Sequence, residues 1–500
     1  FWPRTADQSE SPLRNLPPCV QYLLCTCPCT CGRAEMAQSW LARAVAAALL
    51  VSAAHAGSLR SSGAVDRAAA DAAIDHELAA SAGPADARIG RLEAELSATF
   101  TALPKDAEGG LGHQAVRYAL HRLFVQRHGW YIKGLEPGTS AESSSDWVPS
   151  YLEGRLRRHL AGKGAALRDL ALFAAAIEDL VTVEAVQRMR AAYEMLELPT
   201  LGNLTQEDAQ QLVVTFFVGF LRAGNFSAST PQEAKAKVGI FQTKYTGWSQ
   251  AHEWLLSVVG GVTGSRELEG GLDLAGAERL AAEVGERYHA FNDGECRALK
   301  REMEELQVYK AGRVRLPHFY RKALYSHWEF NEKASYLRSL GALDEAEEGN
   351  AMVIMPNYLM ARTNCLEATS LYALCCRNEC EDLMDQLELD VAAHEAEPAR
   401  LAELVAAMPS DTVAAPRNLS AALVARLGEV AASNGGRVPL HGRLFAQWMH
   451  HAFPRECPYP HEYGTTSPQT PDEWMRESGE ATDRMTTDEL LREVEADTCA

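Results

Sequence analysis

The chain has no apolar run long enough to cross a bilayer. Its most apolar internal stretch, Leu212 to Leu221, spans ten residues, half of the roughly 20 that a helical span needs, so it reads as a buried core helix. Positive charge is also in short supply: 48 Lys and Arg stand against 67 Asp and Glu, a net charge of −19. A surface this acidic repels phosphate backbones and anionic lipid, which removes nucleic acid from the expected partners and disfavours membrane surfaces. Cysteine is missing from Gly32 through Glu295, so any covalent stapling of the folded part is confined to the C-terminal region. Catalytic signatures are lacking too. No Gly-x-Ser-x-Gly occurs, and none of His76-Glu77, His252-Glu253, His394-Glu395 or His461-Glu462 completes His-Glu-x-x-His. Gly260-Gly-Val-Thr-Gly264-Ser lacks the lysine of a phosphate loop.

What is present begins with a leader. From Met36 a short segment runs to Arg43, an apolar run follows from Ala44 to Val51, and Ala54-His55-Ala56 places small residues where a signal peptidase reads. Residues 36–56 are therefore expected to be a cleavable signal peptide, with the mature chain starting near Gly57. Residues 1–35 then read as translated upstream sequence. They include Cys25-Thr-Cys27-Pro-Cys29-Thr-Cys31, which composition alone would assign to metal binding. The route implied is the secretory pathway, ending outside the cell or at its surface. A complex plastid is the alternative, because Gly57-Ser-Leu-Arg-Ser-Ser62 opens like a transit region, although Asp66, Asp71 and Asp75 depart from its acid-poor pattern.

In an oxidising compartment Cys296, Cys365, Cys375, Cys376, Cys380 and Cys457 read as disulfide partners, with Cys499 left in the tail. Six cysteines allow fifteen pairings, and spacing does not choose among them. Adjacent Cys375 and Cys376 are expected to serve different partners. Three Asn-x-Ser/Thr triplets, at Asn203, Asn225 and Asn418, are glycosylation candidates. Asn225 lies in a Gly/Ser/Pro-rich stretch that reads as an exposed loop.

Helical periodicity dominates, which predicts a mainly α, multi-helical fold of two or three domains. Ile89, Leu92, Leu96 and Phe100 fall on one helical face, as do Leu170, Phe173, Ile177 and Leu180. Leu366, Tyr372, Leu383 and Leu387 predict a helix carrying the cysteine cluster. Ser420 to Ala432 makes a helix closed by Gly435-Gly436, and Thr486-Thr-Asp-Glu489 opens a final charged helix with a capping box. The breaks suggest a flexible stalk over 57–84 and an N-terminal helical domain over 85–259. A second helical domain then covers 272–388, a third 389–475, and a charged tail helix 476–500.

One internal repeat stands out. Arg313-Val314-Arg-Leu316-Pro317 is echoed by Met352-Val353-Ile-Met355-Pro356, each copy following one helical segment and opening another at its proline. This helix–loop–helix pair resembles an EF-hand pair, in which a loop glycine, here Gly312, precedes by two an apolar residue that meets its counterpart in a short β-bridge. The resemblance concerns shape. The positions that would ligate calcium hold Gln307, Tyr309, Ala311 and His318, none of them a carboxylate. A looser calcium site would have to use Asp344, Glu347 and Glu348. Gly436-Arg437-Val438-Pro439-Leu440 repeats the order a third time, again without acids. As a whole the chain is similar to large helical secreted proteins of dinoflagellate-type algae, most clearly over Gly312–Leu343 and Val438–Trp474, including Trp448-Met-His-His451 and Pro454-Arg-Glu-Cys-Pro-Tyr-Pro-His461. That resemblance implies an origin and no activity.

His450, His451, Cys457 and His461 form the densest group of zinc-type ligands, with Cys457-x3-His461 at a workable spacing. His450 and His451 diverge by about 100° on a helix, and Cys457 has a competing use in a disulfide. Trp130, Trp248, Trp254, Trp328 and Trp448 read as core anchors before glycan platforms. The expectation is a secreted or cell-surface helical protein that binds or supports, with protein or glycan partners. A metal-dependent enzyme at His450–His461 and a calcium-responsive module are its rivals.

Overall fold

The structure, a computed structural model, describes residues 57–58, 86–135, 154–155, 158, 163–222, 225–367, 371–462 and 464–498. The expected signal peptide, the segment before it, nearly all of the stalk, the Gly- and Ser-rich stretch 138–146 that reads as a loop, and Cys499 lie outside the described residues.

The described chain is mainly helical, with short strands joining distant segments. A two-residue strand β1 (Gly57–Ser58) precedes α1 (Asp86–Ala102) and α2 (His113–His128). Helix α2 stops at Gly129, whose φ of 64° gives the left-handed cap that glycine adopts without a Cβ clash. The chain then extends as β2 (Trp130–Ile132). Helix α3 (Leu167–Met195) buries every residue from Leu170 to Ile177, a stretch that is apolar all round and lies in the first core. Helix α4 (Gln206–Leu221), capped by Thr205 on the Asp208 amide, carries the Leu212–Leu221 run into the same core. Strand β3 (Ser227–Ala228) pairs with β1. Helices α5 (Pro231–Lys244), α6 (Trp248–Thr263) and α7 (Leu274–Glu305) complete this part. The connection from α6 to α7 is short, and its Leu272 bridges Leu204.

Helix α7 runs through two cores. Its Ala277 to Tyr288 face joins α1–α6, while Leu299 and Met303 join a second cluster. There β4 (Arg313–Arg315) leads into α8 (Leu316–Tyr325). Helix α9 (Ala334–Ser339) leads through β5 (Leu343–Asp344) and β6 (Met352–Ile354) into α10 (Met355–Leu359). Val314 pairs antiparallel with Val353, the bridge anticipated from the repeat. Pro317 and Pro356 each occupy the first turn of the helix that follows, where a missing N–H costs nothing. The chain returns to the first core as β7 (Tyr372–Leu374), antiparallel to β2 with Trp130 opposite Leu374.

The cysteine region corrects one expectation. Cys375 and Cys376 follow strand β7, and of the clustered cysteines 365–380 only Cys380 belongs to an α-helix, α11 (Cys380–Val391). A short apolar run such as Leu371 to Leu374 suits either a buried strand or a helix, and pairing with β2 decides for the strand.

The motif seen a third time at Gly436 turns out to have a partner. Helix α11 passes through β8 (Glu395–Ala396) into α12 (Pro398–Ala407), and α13 (Ala421–Ala432) through β9 (Val438–Pro439) into α14 (Arg443–Ala452). Ala396 pairs with Val438, as Val314 pairs with Val353, so a second helix–strand–helix pair encloses a third core. The C-terminal helices α15 (Pro471–Ser478) and α16 (Thr487–Thr498) fold back to the second core through Trp474, Leu490 and Val494. Leu490 and Val494 are buried and contribute about 1.5–3 kcal/mol each. The capping box at the head of α16 is formed, with Glu489 accepting from the Thr486 amide at 2.7 Å.

Candidate functional site

The six inner cysteines pair as Cys296–Cys376, Cys365–Cys375 and Cys380–Cys457. Adjacent Cys375 and Cys376 do serve different partners. The first bridge ties α7 to the end of β7, and the third ties α11 to the segment after α14. Each long bridge closes a loop of 80 or 77 residues, for which loss of unfolded-chain entropy corresponds to about 4–5 kcal/mol.

The proposed zinc ligands are not brought together. Cys457 Sγ is bonded to Cys380 and has no thiolate to offer. His450 is buried, donates from Nδ1 to the Cys457 carbonyl at 2.7 Å and accepts on Nε2 from Arg313 Nη1 at 3.1 Å. Both ring nitrogens are thereby used. Burial first, and then the Arg313 charge, hold His450 neutral by lowering its pKa to about 4. His461 donates from Nε2 to the Gly341 carbonyl at 2.8 Å, and His451 faces Arg426 at 3.3 Å. Among the described residues no group of three or more His, Cys, Asp or Glu is placed to hold a metal ion. Crowding in sequence became a structural seam instead: residues 450–461 clamp the third core onto the second.

The acidic turn meets cations of the protein itself. Asp344 accepts from Arg313 Nε at 2.9 Å and faces Lys310 Nζ at 3.3 Å. Burial would raise its pKa, but these two cations and the Ala346 amide outweigh it and hold it down at about 2. Glu347 accepts from Asn350, while Glu348 is exposed. The first loop is closed by an amide: Gln307 Oε1 accepts from Gly312 N at 2.9 Å and from Arg455 Nε at 3.0 Å. A calcium ion would have to displace Arg313, so millimolar calcium is expected to leave the thermal midpoint unchanged. Asp344 contributes stability above its unfolded pKa, and that contribution fades as pH falls from about 4 toward 2. Asp344→Asn should therefore cost about 1 kcal/mol at pH 7, after allowance for solvent screening, and nothing near pH 2 in urea melts.

One constellation was not anticipated. Arg122 on α2 is buried and meets three carboxylates on one face of α11: Glu381 at 2.6 Å, Asp385 at 2.5 Å, and Glu388 in a short contact. Glu388 also accepts from Thr99 on α1 at 2.9 Å and from His441 Nε2 at 2.8 Å. Burial raises the pKa values of Glu381 and Asp385 despite Arg122, whereas bonds from His441 and Arg122 lower that of Glu388 against its own burial. The 381/385/388 spacing of acids on one helical face is a local signal for this site. Its cation lies more than 250 positions away, and no local pattern points to it.

Two small clefts flank the Cys296–Cys376 bridge. The larger, about 40 Å³, is lined by Glu295, Glu329, Glu332, Tyr358, Thr363 and Arg484 among others. Glu332 is buried at its base, accepting from Thr363 Oγ1 at 2.7 Å and Tyr358 OH at 3.2 Å. The smaller, about 20 Å³, lies between Lys300, Glu379, Arg455 and Glu456. Neither has room for a drug-sized substrate; each suits waters or the tip of one side chain.

These features define a mainly α-helical protein, covalently stapled in its C-terminal part. Comparison with protein-family models, curated proteins and solved structures finds no match.

Proposed function

We propose that this protein acts by binding or by structural support in an oxidising compartment, at the cell surface or outside the cell, with protein or glycan partners. The observation that carries the reading is the set of three bridges, which use all six inner cysteines and join segments up to 80 residues apart. Such a network persists only where thiols are kept oxidised. Two further points support it. Asn203, Asn225 and Asn418 are all exposed, as acceptors for N-glycans must be. Among the described residues no helix is long and apolar enough to cross a membrane.

The rivals have less behind them. The metal-enzyme reading loses Cys457 to a disulfide and His450 to Arg313. The calcium reading meets Arg313 where the cation would sit. The deciding experiment is expression through a eukaryotic secretory pathway, followed by non-reducing peptide mapping and metal analysis. The expected result is a secreted glycoprotein with Cys380 bridged to Cys457 and no stoichiometric metal. A free Cys457 with one zinc per chain, lost on His461→Ala, would overturn the reading in favour of the enzyme.

A further inference from the structure

The three bridges differ in what they hold. Cys380 and Cys457 are 8% and 0% exposed and belong to the third core. Cys365 and Cys375 are only 10 residues apart, so their bridge closes a short local loop. Cys296 and Cys376 instead join two connectors between cores. Helix α7 packs on the first core as far as Phe291 and on the second from Ala298, and Cys296 falls in the gap. Cys376 falls between Leu374 of the first core and Cys380 of the third. This bridge therefore ties the passage from the first core to the second to the passage from the first core to the third.

It is also the bridge that the clefts reach. Cys296 and Cys376 line both of them, and the other four bridged cysteines line neither. Cys296 is half-buried and Cys376 buried, so Cys296 is the end that solvent approaches. The two clefts differ in charge. The larger sets the carboxylates of Glu295, Glu329 and Glu332 against one cation, Arg484. In the smaller, Arg297, Lys300, Arg377 and Arg455 outnumber Asp293, Glu379 and Glu456. Disulfide exchange proceeds by attack of a thiolate, an anion that the first lining repels and the second admits. At about 20 Å³ the smaller cleft has room for the tip of one thiol and little else.

We propose that Cys296–Cys376 is a redox switch, opened by a small thiol entering the smaller cleft while the other two bridges stay closed, and that its opening unpins the connectors between the cores. The thiolate attacks Cys296 Sγ, the bond between the two Sγ atoms breaks, and Cys376 leaves as a thiolate beside the cationic Arg377. A second thiolate attacks the mixed disulfide and releases Cys296. Two thiols are oxidised to one disulfide, one bridge is reduced, and each freed cysteine takes up a proton from water. The remaining bridges keep the local cysteine loop and the third core stapled. The switch acts on the staples alone, whatever partner the protein binds.

The test is timed reduction of the native, fully bridged chain by reduced glutathione, followed by alkylation and peptide mapping. Cys296 and Cys376 are expected to be labelled together, about tenfold or more faster than Cys380 and Cys457, because access governs exchange. Earlier opening of either other bridge, or opening of all three at once, overturns the switch. Opening by a dithiol oxidoreductase but not by glutathione overturns the small-thiol route. Arg377→Gln should slow labelling by about two- to threefold, the effect of one nearby charge in water; an unchanged rate overturns entry through the smaller cleft. Once the bridge is open, hydrogen exchange should quicken over residues 292–298 and 375–380 and stay unchanged along α3. Unchanged exchange at both connectors overturns the unpinning. A chain carrying Cys296→Ser and Cys376→Ser should reproduce the open pattern, and a closed pattern in that folded chain overturns it equally. Should the double variant fail to fold, the reduced unaltered chain decides by the same exchange measurement.

Discussion

Replacing Arg122 with Met is expected to cost about 3–5 kcal/mol at pH 7, the range seen when one partner is removed from a buried ion pair. The side chain has almost no solvent exposure, and it is the cation that faces Glu381, Asp385 and Glu388 together. Met fills most of the volume, so the loss is electrostatic rather than a cavity. Without Arg122, Glu388 keeps His441 and Thr99, but Glu381 and Asp385 lose their strongest attraction. The pH dependence gives the prediction its signature. Glu381 and Asp385 have folded pKa values above their unfolded ones, so their ionisation opposes folding, and stability falls as pH rises through the window above the ordinary carboxylate values. Removing Arg122 raises both further. The deficit of the Met variant should therefore shrink between pH 7.5 and pH 5 in denaturant melts, whereas a packing defect would be indifferent to pH. Glu381→Gln, which thins three carboxylates around one guanidinium, should be neutral or stabilising at pH 7.

That network also shows where reading the chain stops. Local features were legible because their physics is local. The apolar face that became α3, the Leu212–Leu221 core helix, the Ser420 cap of α13 and the Thr486 cap of α16 all depend on residues within a few turns. The Val314 and Val353 repeat could be read as a pair because each copy carries its own helix start at proline. Its sibling at Ala396 and Val438 was only half visible, since Ala396 carries neither the valine of the first pair nor its three-residue step to proline, Pro398 following two positions on. The zinc-type cluster failed for the opposite reason. Density along the chain says nothing about convergence, and four side chains within twelve positions went to a disulfide, a carbonyl, an arginine and a neighbouring helix. Arg122 could not be matched to α11 at all, because the two meet only after α1, α2 and α11 have packed.

Gly312→Ala is the second change expected to have a large effect, about 3 kcal/mol or more, read as a fall in the thermal midpoint and in the urea midpoint. Gly312 sits at φ 71°, where any side chain is strained by roughly 1–2 kcal/mol. Strain is the smaller part. A Cβ at this position would lie 1.9 Å from the Pro454 carbonyl oxygen and 2.7 Å from its carbon. Backbone cannot rotate away as a side-chain tip can, so either the 307–312 turn or the 453–457 segment must move. Each carries dependent contacts. The turn holds Gln307 on the Gly312 amide and aligns Val314 with Val353; the segment holds His450 on the Cys457 carbonyl and Arg313 on His450. Gly435 provides the control, since it also has a φ of 71° but nothing within 4 Å of a built Cβ. Gly435→Ala should cost only the strain. If both alanine variants lose the same stability, the close approach of Pro454 contributes nothing, and the seam between the second and third cores is not where this glycine acts.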